Sequence, residues 1–279
     1  MSAKDTIHMF RKPTQQEHED SGQRCHVCQA PGPLTKEHVP PEGAFNDCAA
    51  LWERIVFGRD SVEGRRSKIR NGVWVKSLCE DCNNIRCNPY ATEYVRLAKH
   101  LASTSPISGT SPNERLLTVP ADTLFVAKEI ATMILAIEPA YFSDTNGELR
   151  EFVLERDRLM APPFRIFAFE VDDTPKAGTV SAYSARVDTY APGYGMQGGE
   201  ISMFPFGFVY VWEIGEGYHP ERMTDITHWF SEGDARRRKS ATLRLFNRLM
   251  GIGAMQDCFD ADRKGPRIDR PAGKWDLDR

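Results

Sequence analysis

Two pairs of cysteines, Cys25-His26-Val27-Cys28 and Cys79-Glu80-Asp81-Cys82, set the strongest constraint on how this chain can fold. A C-x-x-C step is a tight turn that lets two sulfurs reach one ion, so two such knuckles supply the four thiolates of a tetrahedral zinc site. The pairs stand far apart in sequence. A shared ion would therefore tie two segments of a small core together, and its binding energy becomes folding energy. A zinc ion with four thiolates has no open coordination position, so Cys25, Cys28, Cys79 and Cys82 are expected to hold a structural ion. Cys48, Cys87 and Cys258 have no partner at that spacing and read as plain thiols. Seven cysteines with knuckle spacing suit metal binding in a reducing, cytoplasmic compartment better than a disulfide framework.

The 279 residues are 41% hydrophobic and 27% charged, a balance that suits a globular protein of one large or two modest domains. No apolar run is long enough for a membrane span, and residues 1–20 lack the apolar stretch of a secretory signal. Residues 1–22 are polar and read as a flexible arm. Residues 23–103 hold every motif residue, and 104–115, rich in Ser, Thr, Pro and Gly, read as a linker. Residues 116–250 read as a second α+β domain of unknown type, followed by a charged, disordered tail over 251–279. Within it, 121–137 has helical spacing, with Leu124, Ala127, Ile130, Ala131, Ile134 and Leu135 on one side, and 147–155 reads as a second helix. Residues 164–171, 180–190 and 201–214 read as strands, with 203–212 a single buried one, and Trp229 and Phe230 as core. Arg236 to Lys239 opens a helix predicted to run to Leu249.

Between the knuckles lies Leu34-Thr35-Lys36-Glu37-His38-Val39-Pro40-Pro41, and Asn83 and Asn84 follow the second knuckle. Histidine is suited to moving a proton near neutrality. A carboxylate and an amide are hard oxygen ligands suited to Mg²⁺ or Mn²⁺. Glu37 and His38 are adjacent, so on an extended strand their side chains point to opposite sides, and a shared site needs a local bend.

Taken together, the knuckles, Glu37-His38-Val39-Pro40-Pro41 and Cys82-Asn83-Asn84 resemble the HNH (ββα-metal, His-Me finger) endonuclease family with a four-cysteine zinc site. The resemblance covers about residues 23 to 95, with a second strand over 73–78 and a helix from Cys82 to about Tyr94. It implies a zinc-stabilised ββα-metal module that hydrolyses phosphodiester bonds in DNA, RNA being an open alternative, with a place in restriction or phage defence. In that reading Glu37 and Asn83 bind a catalytic Mg²⁺ or Mn²⁺ and His38 is the general base. Asn71, with Asn46 farther back, is the candidate for orienting that base. The chain departs from the family pattern in three ways: glutamate stands in the acidic position, Asn71 lies early, and the segment from His38 to Val73 is long. The rival reading is a zinc module that binds nucleic acid without cutting it.

The net charge of −3 gives no help to a nucleic-acid partner, so contact must come from a local basic patch. Residues 64–76 carry Arg65, Arg66, Lys68, Arg70 and Lys76 without an acid and read as a loop that touches phosphates. A homodimer or regulatory partner through residues 116–250 is the other expected contact.

Overall fold

The structure is a computed structural model and describes residues 24–47, 50–57, 62–69, 72–104, 114–171, 179–186, 195–212, 223–232 and 239–248. It mixes helices with mainly antiparallel sheets. The first unit is a hairpin-like pair, β1 (Leu34–His38) against β4 (Trp74–Cys79), with Glu37 opposite Val75 and His38 opposite Trp74. The register slips between Thr35 and Lys36. A π-helical turn, Asp81–Arg86, follows β4 and leads into α1 (Asn88–Ser103). Proline at the start of α1 needs no N–H there, and Tyr90, Tyr94, Leu97, Ala98 and Leu101 form its buried face at helical spacing.

Between β1 and β4 runs a second pair, β2 (Ala50–Phe57) with β3 (Val62–Ile69), antiparallel from Ala50 opposite Ile69 to Phe57 opposite Val62. The basic run expected to be a loop is therefore largely strand: Arg65, Arg66 and Lys68 lie on β3. The two segments satisfy each other's backbone hydrogen bonds by pairing. Arg70 and Asn71 lie outside the described residues.

Strand β5 (Glu114–Ala121) opens the remainder, followed by α2 (Thr123–Ile137), α3 (Ala140–Thr145) and α4 (Gly147–Leu154). The Asp122 side chain accepts a 3.2 Å hydrogen bond from Phe125 N–H and so caps α2. The sequence suggested one apolar side for α2, but the helix is buried all round, including Lys128, Glu129 and Thr132. It lies between α1, α4 and the large sheet, so its polar residues must find partners inside. Lys128 does so: its ammonium donates to the carbonyls of Phe152, Glu155 and Arg158 at the end of α4.

The large sheet has the order β5-β11-β6-β9-β8-β7, with β10 (Thr224–Asp225) beside β6. Its strands are β6 (Phe164–Val171), β7 (Thr179–Arg186), β8 (Gly195–Met203), β9 (Phe206–Trp212) and β11 (Lys239–Arg248). In β6, Phe164, Ile166 and Ala168 join the core that includes the helices, while Phe167, Phe169 and Val171 fill a second cluster on the other face. That period of two, apolar on both faces, explains the hydrophobic run from Ile166 to Phe169. Trp229 and Phe230 are buried, as the sequence suggested.

Two expectations fail here. The run 203–212 is not one strand: β8 ends at Met203, the chain turns through a cis Phe204–Pro205 peptide, and β9 begins at Phe206. Proline cannot donate to a ladder, and Gly207 lies so close to Phe169 and Ser202 that a Cβ there would meet both within 3 Å. The helix expected over 236–249 is instead strand from Lys239 to Arg248, paired with β5 and touching β6 in parallel. Leu243 and Leu245 are buried and Arg244 is exposed, a period of two that suits the slot between β5 and β6. Residues 236–238, like the arm, most of the 104–115 segment and the tail, lie outside the described residues. Among the described residues no helix is long and apolar enough to cross a membrane.

Candidate metal centre and the adjoining histidine

The first knuckle is a compact turn in which Cys25 N–H donates to Ala30 O and Gln29 N–H to Cys25 O, with Gln29 in the left-handed region. It is pinned to β4 by a 2.8 Å bond from His26 N–H to Ser77 O, and to α2 by His26 Nδ1 donating to Leu135 O. The second knuckle begins on the last residue of β4 and closes in the π turn. These two anchors bring Cys25, Cys28, Cys79 and Cys82 together, all four sulfurs lying within 4.8 Å of one another. Cys28 and Cys79 sulfurs are 3.7 Å apart. A tetrahedron with Zn–S bonds of about 2.3 Å needs a separation of about 3.8 Å, so the four cysteines can hold a metal ion such as zinc. The hydrogen bond with Cys82 pulls the Cys25 thiol well below the usual thiol range, toward the thiolate that such an ion requires.

The hairpin that carries Cys79 also carries Glu37 and His38. Alternation along β1 sends Glu37 inward, where it is 8% exposed, and leaves Lys36 and His38 on the outer side. Lys36 Nζ stands 4.4 Å over the ring of Trp74, which faces His38 across the pair, so the three share that outer side. The register is regular at Glu37 and His38, the irregularity falling earlier, between Thr35 and Lys36. Burial pushes the Glu37 carboxyl up to about 8. Its charge in turn helps to raise the Glu129 carboxyl on α2 and the Cys87 thiol.

Asn83 reaches back from the π turn to β1. Its Nδ2 donates to Thr35 Oγ1 at 2.9 Å and to the Lys36 carbonyl at 2.8 Å. Both N–H groups are thereby used, which leaves Oδ1 as the atom available to a cation. Thr35 and Glu37 lie on the same side of β1, so the fold brings Asn83 to the strand and side that bear Glu37. It does not bring the His38 side chain to that same side. Asn84 is exposed, and Arg86 is ion-paired with Asp81 on the surface. Lys76 is exposed on β4 opposite Lys36. Only the backbone of Arg65, Arg66 and Lys68 is described, on β3.

Sequence reasoning gave Asn46 too little weight. It is fully buried, and its side chain clamps the segment after His38: Nδ2 donates to Pro40 O and to Val73 O, and Oδ1 accepts a 2.7 Å bond from Val73 N–H. No local signal marks it, since it acts on Val73, distant in sequence, in a turn where Phe45 and Gly72 both have positive φ. Glu129 was also missed, although an acid amid Val126, Ala127, Ile130 and Ala131 stands out. No protein-family description, curated protein or solved structure matches this chain.

Proposed function

We propose that this protein is a metal-dependent endonuclease of the HNH kind that hydrolyses phosphodiester bonds in DNA. The observation that carries the reading is the placement of Asn83 against β1, the strand of Glu37 and His38, in a hairpin-and-helix unit locked to the four-cysteine cluster. Zinc on the cysteines would fasten the hairpin to the helix and take no part in chemistry. Glu37 and Asn83 Oδ1, two hard oxygen donors, would hold Mg²⁺ or Mn²⁺, which when bound offsets negative charge on the phosphate and the leaving oxygen. His38, on the solvent side of β1, accepts a proton from the attacking water. Lys36 and Lys76, opposite each other on the same ribbon, offer cations to the backbone phosphates. A restriction or phage-defence role accords with such an activity.

The deciding experiment is plasmid cleavage with Mg²⁺, with Mn²⁺ and with EDTA, comparing wild type with His38→Ala. The expected result is metal-dependent cutting that falls by about 10²–10⁴ in His38→Ala, with DNA affinity and zinc content unchanged. Wild-type protein that binds DNA and cuts nothing under any divalent cation would establish the rival, a zinc module that binds without catalysis.

A further inference from the structure

Helix α2 carries an acid that its surroundings leave without a partner. Glu129 is fully buried, and neither carboxylate oxygen has a hydrogen-bond partner. Lys128, next to it, offers no relief, because its ammonium is held by three carbonyls at the end of α4. Burial, with the charge of Glu37 on the hairpin that α2 packs against, holds the Glu129 carboxyl well above the usual carboxylate range. A third buried polar group senses Glu129. The Tyr94 hydroxyl, on α1, is unpartnered on a side chain 1% exposed, and it senses the charge of Glu129. Cys87, at the start of α1, feels both carboxylates. Two buried carboxyls with no cationic side chain on either, among the described residues, are either held neutral or balanced by a bound cation.

We propose that Glu129 gives a second carboxylate to the divalent cation that Glu37 holds, so that the helix after residue 114 completes the metal site of the hairpin. The inference rests on the reading of Glu37 as a cation ligand. Two carboxylates balance one divalent charge. All-oxygen ligation selects Mg²⁺ or Mn²⁺, while the four thiolates nearby select zinc, so the two ions sort by ligand softness. Tyr94 adds a hydroxyl that can bond to a carboxylate or to a water on the ion.

The test is Mn²⁺ binding by the full-length, zinc-loaded protein, followed by electron paramagnetic resonance and by the rise in melting temperature on adding Mn²⁺. Wild type should take up one Mn²⁺ beyond its zinc and melt higher with it. Glu129→Gln should bind at least about tenfold more weakly, lose most of that rise, and keep its zinc. Glu129→Asp, which keeps a carboxylate one methylene short, should fall between the two. Glu129→Gln with wild-type Mn²⁺ affinity overturns the proposal. If Glu37→Gln then abolishes binding, the nuclease reading survives that loss; if Glu37→Gln also binds normally, both fall. A wild-type protein whose melting does not respond to millimolar Mn²⁺ or Mg²⁺ overturns the proposal without any variant.

Discussion

Replacing Asn46 with alanine should destabilise the protein out of proportion to the atoms removed. Its amide satisfies Pro40 O, Val73 O and Val73 N–H, all in a buried turn. Val73 O has a second donor, Val39 N–H at 3.0 Å, and so keeps a partner in the variant. Pro40 O and Val73 N–H do not. Each backbone group left buried and unpaired costs about 1–3 kcal/mol, which puts the loss near 4 kcal/mol. Water is poorly placed to help: Gly72 has φ of 75°, and a Cβ there would lie 2.0 Å from Asn46 O, so the turn is already closed around this residue. The change should lower the urea midpoint by about 1–2 M. Amide hydrogen exchange should speed up selectively over residues 38–46 and 72–74. Asn46→Asp keeps an acceptor for Val73 N–H but points a carboxylate at the Pro40 carbonyl, and should be at least as damaging. A loss under about 1 kcal/mol, or exchange unchanged in that turn, would refute the clamp.

Zinc should co-purify at about one equivalent per chain, and Cys79→Ser should lose it and unfold the hairpin region, as metal analysis and circular dichroism would report. The Glu138 carboxyl, buried at the end of α2, is pushed up to about 7 by that burial, against the lowering effect of the Tyr210 hydroxyl that donates to it. A raised carboxyl stabilises fully below its unfolded value of 4.5 and loses that stability as pH rises through about 7. Glu138→Gln should thus match wild type near pH 4.5 and exceed it by about 3 kcal/mol at pH 8, measured by denaturation across that range. A constant difference at all pH values would dismiss the Glu138 account. Replacing Arg65, Arg66, Lys68 and Arg70 together should flatten the salt dependence of DNA binding by about one unit of slope per lost phosphate contact. An unchanged slope would send the DNA path elsewhere, over Lys36 and Lys76 or over the basic residues leading into β11.

Local signals in the chain were enough to mark the four-cysteine cluster and several elements. The C-x-x-C spacing named the four sulfurs that the fold gathers, because a knuckle is a property of four consecutive residues. Apolar spacing located α2 and β6 to within a residue or two, since both are long and strongly periodic. The opposed sides of Glu37 and His38 followed from strand geometry alone. Tertiary structure decided what lay beyond such windows. Thr242-Leu243-Arg244-Leu245 became a strand because β5 and β6 leave a slot for it, a fact no local propensity contains. Asn46 matters because Val73, distant in sequence, comes to meet it. Glu129 acquires meaning only when α2 packs against β4 of the hairpin and comes under the influence of Glu37. Burial turns an unremarkable acid into a group that needs a partner, and burial is decided by the whole fold.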